Sequence, residues 1–146
     1  MMERLTYEVQ IQAPKTSVWS TLIDAERYSQ WIKAFSPNSY TDGEWKQGTY
    51  IKFLDPDMGG TKAFVEALEP NEHILVRHVS VISKAGEEST DGEMASKWVG
   101  TTEEYRLTEN DNMTSLLIEI KTHSEFVPMF DSSWPEALKL IKKLSE

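Results

Sequence analysis

The sequence predicts an α+β fold in two layers, an antiparallel sheet with one long helix laid against it. Three observations predict it. A period-two segment near the N-terminus is followed at once by two short helical segments. From residue 38 onward, apolar residues alternate through one run after another, with short polar turns between. The last residues carry an amphipathic helical stripe. Consecutive strands joined by short turns pair antiparallel, and a lone long helix can cover one face of such a sheet.

In "RLTYEVQIQAP", Leu5, Tyr7, Val9 and Ile11 alternate with Thr6, Glu8, Gln10 and Gln12. That is a strand with one buried face. Pro14 ends it and can open the next helix near its first position. Val18, Trp19, Leu22 and Ile23 then fall at helical spacing. Asp24 is expected to cap a second short helix whose apolar side is Tyr28, Trp31 and Ile32.

"TYIKFLD" sets Ile51 and Phe53 opposite Tyr50 and Lys52, and "TKAFVEALEP" is a strand that stops at Pro70. "EHILVRHVSVIS" has apolar residues in both alternating sets, so it is expected to be covered on part of both faces. "WVGTTEEYRLTEN" and "MTSLLIEIKTH" are two further strands, with a hairpin turn at Glu109 to Asn112. About five or six strands follow the short helices. The polar stretch Ser83 to Lys97 reads as a long loop with a short helix near "GEMASKW". Ser133 is expected to cap the last helix and Pro135 to lie in its first turn. Trp134, Ala137, Leu138, Ile141 and Leu144 form one stripe over about twelve residues.

Composition removes several classes of function. The chain of 146 residues fits one domain. It has no cysteine, which excludes a disulfide scaffold, a thiolate nucleophile and a Cys-ligated metal, and fits a reducing cytoplasm. With 15 basic against 24 acidic residues it shows no clustered cationic patch for nucleic acid. The lysines of "KLIKKL" suit the exposed side of a helix end. The charged N-terminus does not read as a signal peptide, and no apolar run approaches the ~20 residues of a membrane span.

"IQAPKTSVWSTLIDAERYSQW" resembles the opening of the START-like, helix-grip superfamily, often called SRPBCC: a strand, a proline, Val-Trp, an acidic residue, and a Trp closing the second short helix. "GEWKQGTYIKF", "VEALEPNEHILVRHV", "TTEEYRL" with "TSLLIEI", and the closing "W…ALKLIKKL" follow in the order of the AHSA1-like branch, named for the activator of Hsp90 ATPase. The resemblance spans nearly the whole chain, so 1–146 is read as a single AHSA1-like SRPBCC domain. It implies a START/Bet v 1-like helix-grip fold, in which a curved antiparallel sheet wraps the long C-terminal helix and leaves a cavity between them. Members bind lipids, sterols, polyketides or plant hormones, and some are cyclases or dehydratases. The family's cochaperone also has an N-terminal domain that contacts Hsp90, for which this chain has no room.

Within that frame Trp19 is expected to anchor the first short helix, and Tyr28, Trp31 and Phe35 to stand near one mouth of the cavity. Each buried ring contributes roughly 1.5–3 kcal/mol, so packing alone can explain them. His78, mid-strand between valines, can hydrogen-bond a ligand or exchange a proton if it faces the cavity, or be a core histidine satisfied by a neighbour. Glu103 and Tyr105 share one strand face, where the carboxylate is either a proton donor or acceptor or a rim ion pair. Trp98, read as the start of a strand, can form a lid wall. Phe126, Met129 and Phe130 precede the last helix and either line a pocket mouth or plug it.

No "GxSxG" elbow accompanies the three histidines. His73 and His78, five apart, face opposite sides of a strand and share no metal. "DPDMGG" and "GEWKQG" lack calcium-loop and phosphate-loop spacing and read as turns. The expectation is therefore a binding module for a small apolar or amphipathic ligand, with no metal or cofactor. Its contacts would come from Trp31, Phe35, Phe53, His78, Trp98, Glu103, Tyr105, Phe130 and Trp134. A protein partner, a homodimer and a cyclase or dehydratase activity stay open as alternatives.

Overall fold

The structure, a computed structural model, describes residues 2–146. Strand β1 (Met2–Ile11) leads into helices α1 (Lys15–Ile23) and α2 (Ala25–Trp31) and a 3₁₀ turn (Ile32–Ala34). Strands β2 (Tyr40–Asp42), β3 (Tyr50–Asp55), β4 (Gly59–Glu69), β5 (His73–Ile82) and β6 (Glu88–Ser89) follow. Helix α3 (Glu93–Trp98), strands β7 (Thr102–Asn110) and β8 (Met113–His123), a 3₁₀ turn (Ser124–Phe126) and helix α4 (Val127–Ser145) complete the chain. The short β2 and the two-residue β6 carry too little alternation to stand out as strands in the sequence.

All pairings are antiparallel, in the order β1-β8-β7-β5-β4-β3-β2, with β6 pairing the end of β5 on the side away from β4. The β4–β5 register slips at Lys62/Ala63 and again at Val65/Ala67. Such bulges add twist and bend to a ladder, and here they fall midway along the curved sheet that cups α4. The hairpin turns match their residue types. Asp111 and Asn112 both hold positive φ, 53° and 62°, as a two-residue turn between twisted strands requires. One face of β5, Ile74, Val76, His78, Ser80 and Ile82, is buried. The other is only half-buried, and on it Arg77 lies over the Phe64 ring.

Asp24 separates α1 from α2. Its carboxylate accepts the Arg27 N–H at 3.1 Å, while its own N–H donates to the Ser20 carbonyl. Pro14 takes the cap position of α1 rather than its first turn. The start of α4 differs more from expectation. The helix begins at Val127, Pro128 occupies its first turn, and Ser133 is mid-helix and caps nothing. Pro135 lies in the helix interior, where its missing N–H leaves the Asp131 carbonyl without its usual donor. That flank is exposed, so water can serve the carbonyl, and burial of Phe130 and Trp134 on the opposite side holds the helix continuous. Both rings and Met129 therefore belong to the helix itself.

The core lies between α4, α1 and the concave face of the sheet. Ala137, Leu138 and Ile141 pack there with Ile11, Leu116, Ile118 and Ile120. A polar clasp ties α1 to the end of α4: Ser17 donates to the Ser145 carbonyl at 2.8 Å, and Ser145 donates to the Thr21 hydroxyl at 2.9 Å. Among the described residues, no helix is long and apolar enough to cross a membrane.

Candidate functional site

Toward the N-terminal half of α4 the packing changes. Small aliphatic residues give way to Phe130 and Trp134, and the sheet and helix part around a cavity of about 450 Å³. Rings from many elements wall it: Tyr28 and Trp31 from α2, Trp45 from the β2–β3 loop, Phe53 from β3, Trp98 from α3 and Tyr105 from β7. They lock one another in place. Trp31 stacks on Trp134 with centroids 5.9 Å apart, Trp134 meets Phe35 edge-on at 5.1 Å, and Trp98 stacks on Phe130 at 5.9 Å. Exposed Met58, Met94 and Met129 belong to the same lining and mark where the cavity meets solvent.

One polar chain crosses this apolar wall. The side chain of His78 is 2% exposed, and its Nε2 stands 2.6 Å from Glu103 Oε2. Its Nδ1 stands 3.0 Å from the Thr61 hydroxyl. Glu103 Oε1 accepts the Tyr105 hydroxyl at 3.3 Å. With Nε2–H donated to the carboxylate, a neutral imidazole accepts from Thr61 through Nδ1. The His78 backbone is fixed as well, its N–H donating to the Thr101 carbonyl and its carbonyl accepting from Gly100, each at 2.9 Å. Burial, with Glu103 adding to it, pushes the phenols of Tyr28 and Tyr105 above the ordinary tyrosine range. At the rim, Asp55 accepts from the Ser36 hydroxyl and the Asp57 N–H, and these bonds hold its carboxyl below the usual carboxylate range.

All nine residues named from the sequence line this one cavity. Several are placed differently from expectation. Tyr28 and Trp31 are deep wall and fully buried, not mouth; Trp31 donates its indole N–H to the Thr21 carbonyl at 2.8 Å. Trp98 closes α3 and does not start a strand, because the chain turns at Gly100 (φ 96°) before β7 begins. The hollow lies beneath the first turns of α4 only; beneath Ala137 to Ile141 the interior is solid. Trp19 is core and stands outside the cavity. Sequence reasoning missed Thr61, Trp45 and the Ser36–Asp55 pair. The "DPDMGG" turn was legible, but nothing in it shows that the turn folds over a cavity. Among the described residues, no group of three or more His, Asp or Glu is placed to hold a metal.

No protein-family model matches the chain, and no curated protein matches it. Solved structures do. MLL2253 from Mesorhizobium loti superposes with a TM-score of 0.76 at 16% identity, covering 97% of this chain and 96% of its own. The Aha1 dimer from Colwellia psychrerythraea gives 0.74 at 19% identity, covering 99% and 96%. CalU16 from Micromonospora echinospora gives 0.63 at 19% identity, covering 97% and 73%. The chain thus has a helix-grip fold, and the Aha1 structure matches it over nearly its whole length.

Proposed function

We propose that this chain is a binding module for a small, largely apolar molecule held between the sheet and the first half of α4. The observation that carries this is the cavity itself. Its volume of about 450 Å³ falls within the roughly 300–1,000 Å³ of small-molecule sites, and it stays open although ten or more rings surround it. A solid core at this position would have been easy to build, since the same helix packs solidly two turns later. The His78–Glu103–Tyr105 chain gives the site its one strongly polar wall and would orient the guest. The reading treats residues 1–146 as one domain, and a cytoplasmic place of action fits a chain without cysteine.

The test is titration with N-phenyl-1-naphthylamine, a neutral probe whose emission rises in apolar surroundings. Saturable binding of about one probe per chain, with quenching of tryptophan emission, is expected. Absence of saturable binding overturns the proposal. Native mass spectrometry of protein purified from its own host would then name the natural guest.

A further inference from the structure

The charge lining the cavity is one-sided. Two carboxylates, Asp55 and Glu103, face at most one imidazolium, His78; no lysine or arginine is in the lining. Two lysines on lining elements spend their charge elsewhere. Lys62 pairs with Glu88 and lies over the Tyr50 ring, and Lys97 pairs with Glu125 and Glu93. By residue type the wall is acidic. Glu103 has capacity to spare: Oε2 takes the short bond from His78, while Oε1 has only the long 3.3 Å bond from Tyr105.

The rings point the same way. Phe53 and Trp98 lie 5.7 and 5.2 Å from the ring of His78, the partner of Glu103, and Tyr105 is bonded to Glu103 directly. Aromatic faces are electronegative and attract ammonium groups within about 6 Å. An anionic head entering here would lose its water and meet rings and carboxylates with no cation to pair with.

Resting on the binding reading above, we infer that the cavity selects guests with a cationic head, an amine or quaternary ammonium on an apolar body, over carboxylate, sulfate or phosphate amphiphiles. The head sits between Glu103 and the rings of Trp98 and Tyr105, and the apolar body lies along Trp31, Phe35 and Phe130. The acidity of the whole chain, net −9, assists approach of a cation but is a separate, screened effect.

The experiment displaces bound N-phenyl-1-naphthylamine from the full chain with decyltrimethylammonium or decanoate, both below micelle formation. The cation is expected to displace the probe at about tenfold lower concentration or better, a factor equal to about 1.4 kcal/mol. Surface charges are screened beyond ~8 Å at physiological salt, so the preference should persist as salt is raised. In Glu103→Gln the ratio of the two concentrations should fall several-fold, whatever happens to the probe's own affinity. Asp55→Asn serves the same purpose, with a smaller fall, should Glu103→Gln not fold. Equal displacement, or better displacement by decanoate, overturns this inference and leaves the binding reading standing. So does a preference that disappears in high salt. Failure of the probe to bind at all removes the binding reading and this one with it.

Discussion

The imidazole of His78 and the carboxylate of Glu103, 25 residues apart in sequence, meet at 2.6 Å across the β5–β7 junction. The pair is built into the wall of an otherwise apolar cavity, and His78 is almost fully buried, at 2% exposed. Both ring nitrogens have partners, so the residue satisfies the core and the cavity at once. Replacing it strands the carboxylate. His78→Leu should lower stability by about 1–3 kcal/mol, the cost of an unpaired buried polar group. Glu103→Gln should cost less, because an amide still offers His78 a hydrogen bond. Urea unfolding of the two variants checks the order; a His78→Leu variant as stable as the parent would contradict it.

Trp31 and Trp134 stack on one another and are equally buried, yet only Trp31 has an acceptor for its indole N–H. That acceptor is the Thr21 carbonyl in the last turn of α1, one of the groups a helix end leaves unpaired. Trp31→Phe therefore loses ring area and a hydrogen bond, whereas Trp134→Phe loses ring area alone. The first should cost about 1 kcal/mol more than the second. Denaturant midpoints at equal slope measure the difference.

The Gly59–Gly60 pair runs under the cavity rim. A Cβ on Gly60 would lie 1.9 Å from the Phe53 carbonyl oxygen, and one on Gly59, at φ 87°, would lie 2.2 Å from that of Ile82. Both obstructions are backbone and cannot swing aside. Gly60→Ala should therefore shift β3 against β4 and destabilise the fold by more than the ~1 kcal/mol of an ordinary helix-interior change. Loss of probe binding should accompany the fall in melting temperature. Gly86→Ala, where nothing lies within 4 Å, is the control for a strained φ without a clash.

Alkaline pH should unfold the protein through its buried phenols. Burial raises Tyr28 and Tyr105 above their ordinary value of 10.0 in the fold. The unfolded chain ionises them first, so above about pH 10 it binds fewer protons than the native state. The stability present below that pH is then lost as pH climbs toward the raised native values. Tyrosinate absorbance from these two residues should appear together with unfolding. Phe at both positions should move the alkaline midpoint upward, and an unchanged midpoint would contradict the account.

Helix α3 carries two lining residues, Met94 and Trp98, and is held against the following 3₁₀ turn by the Lys97–Glu125 pair at 2.8 Å. An exposed pair of this kind contributes little to stability. Lys97→Ala should barely alter the melting temperature but should speed both entry and release of a bound probe. Stopped-flow fluorescence separates the two effects.

The sequence by itself determined the order of elements and most of their boundaries, because those depend on local chemistry. Alternation along β1, β5 and β8, the Asp24 cap and the Asp111–Asn112 turn each rest on residues a few positions apart. Strand periodicity also set Glu103 and Tyr105 on one face, but it left open whether that face and His78 turn inward. Where local signals competed, they misled. Pro135 and Ser133 mimic a helix start, and only the burial of Phe130 one turn earlier shows that α4 is already under way. Whether the space between sheet and helix is filled or hollow was decided by the tertiary structure alone. That depends on how far two bulges bend β4 and where the Met58 turn and α3 come to rest, distances summed over the whole chain that no short segment encodes.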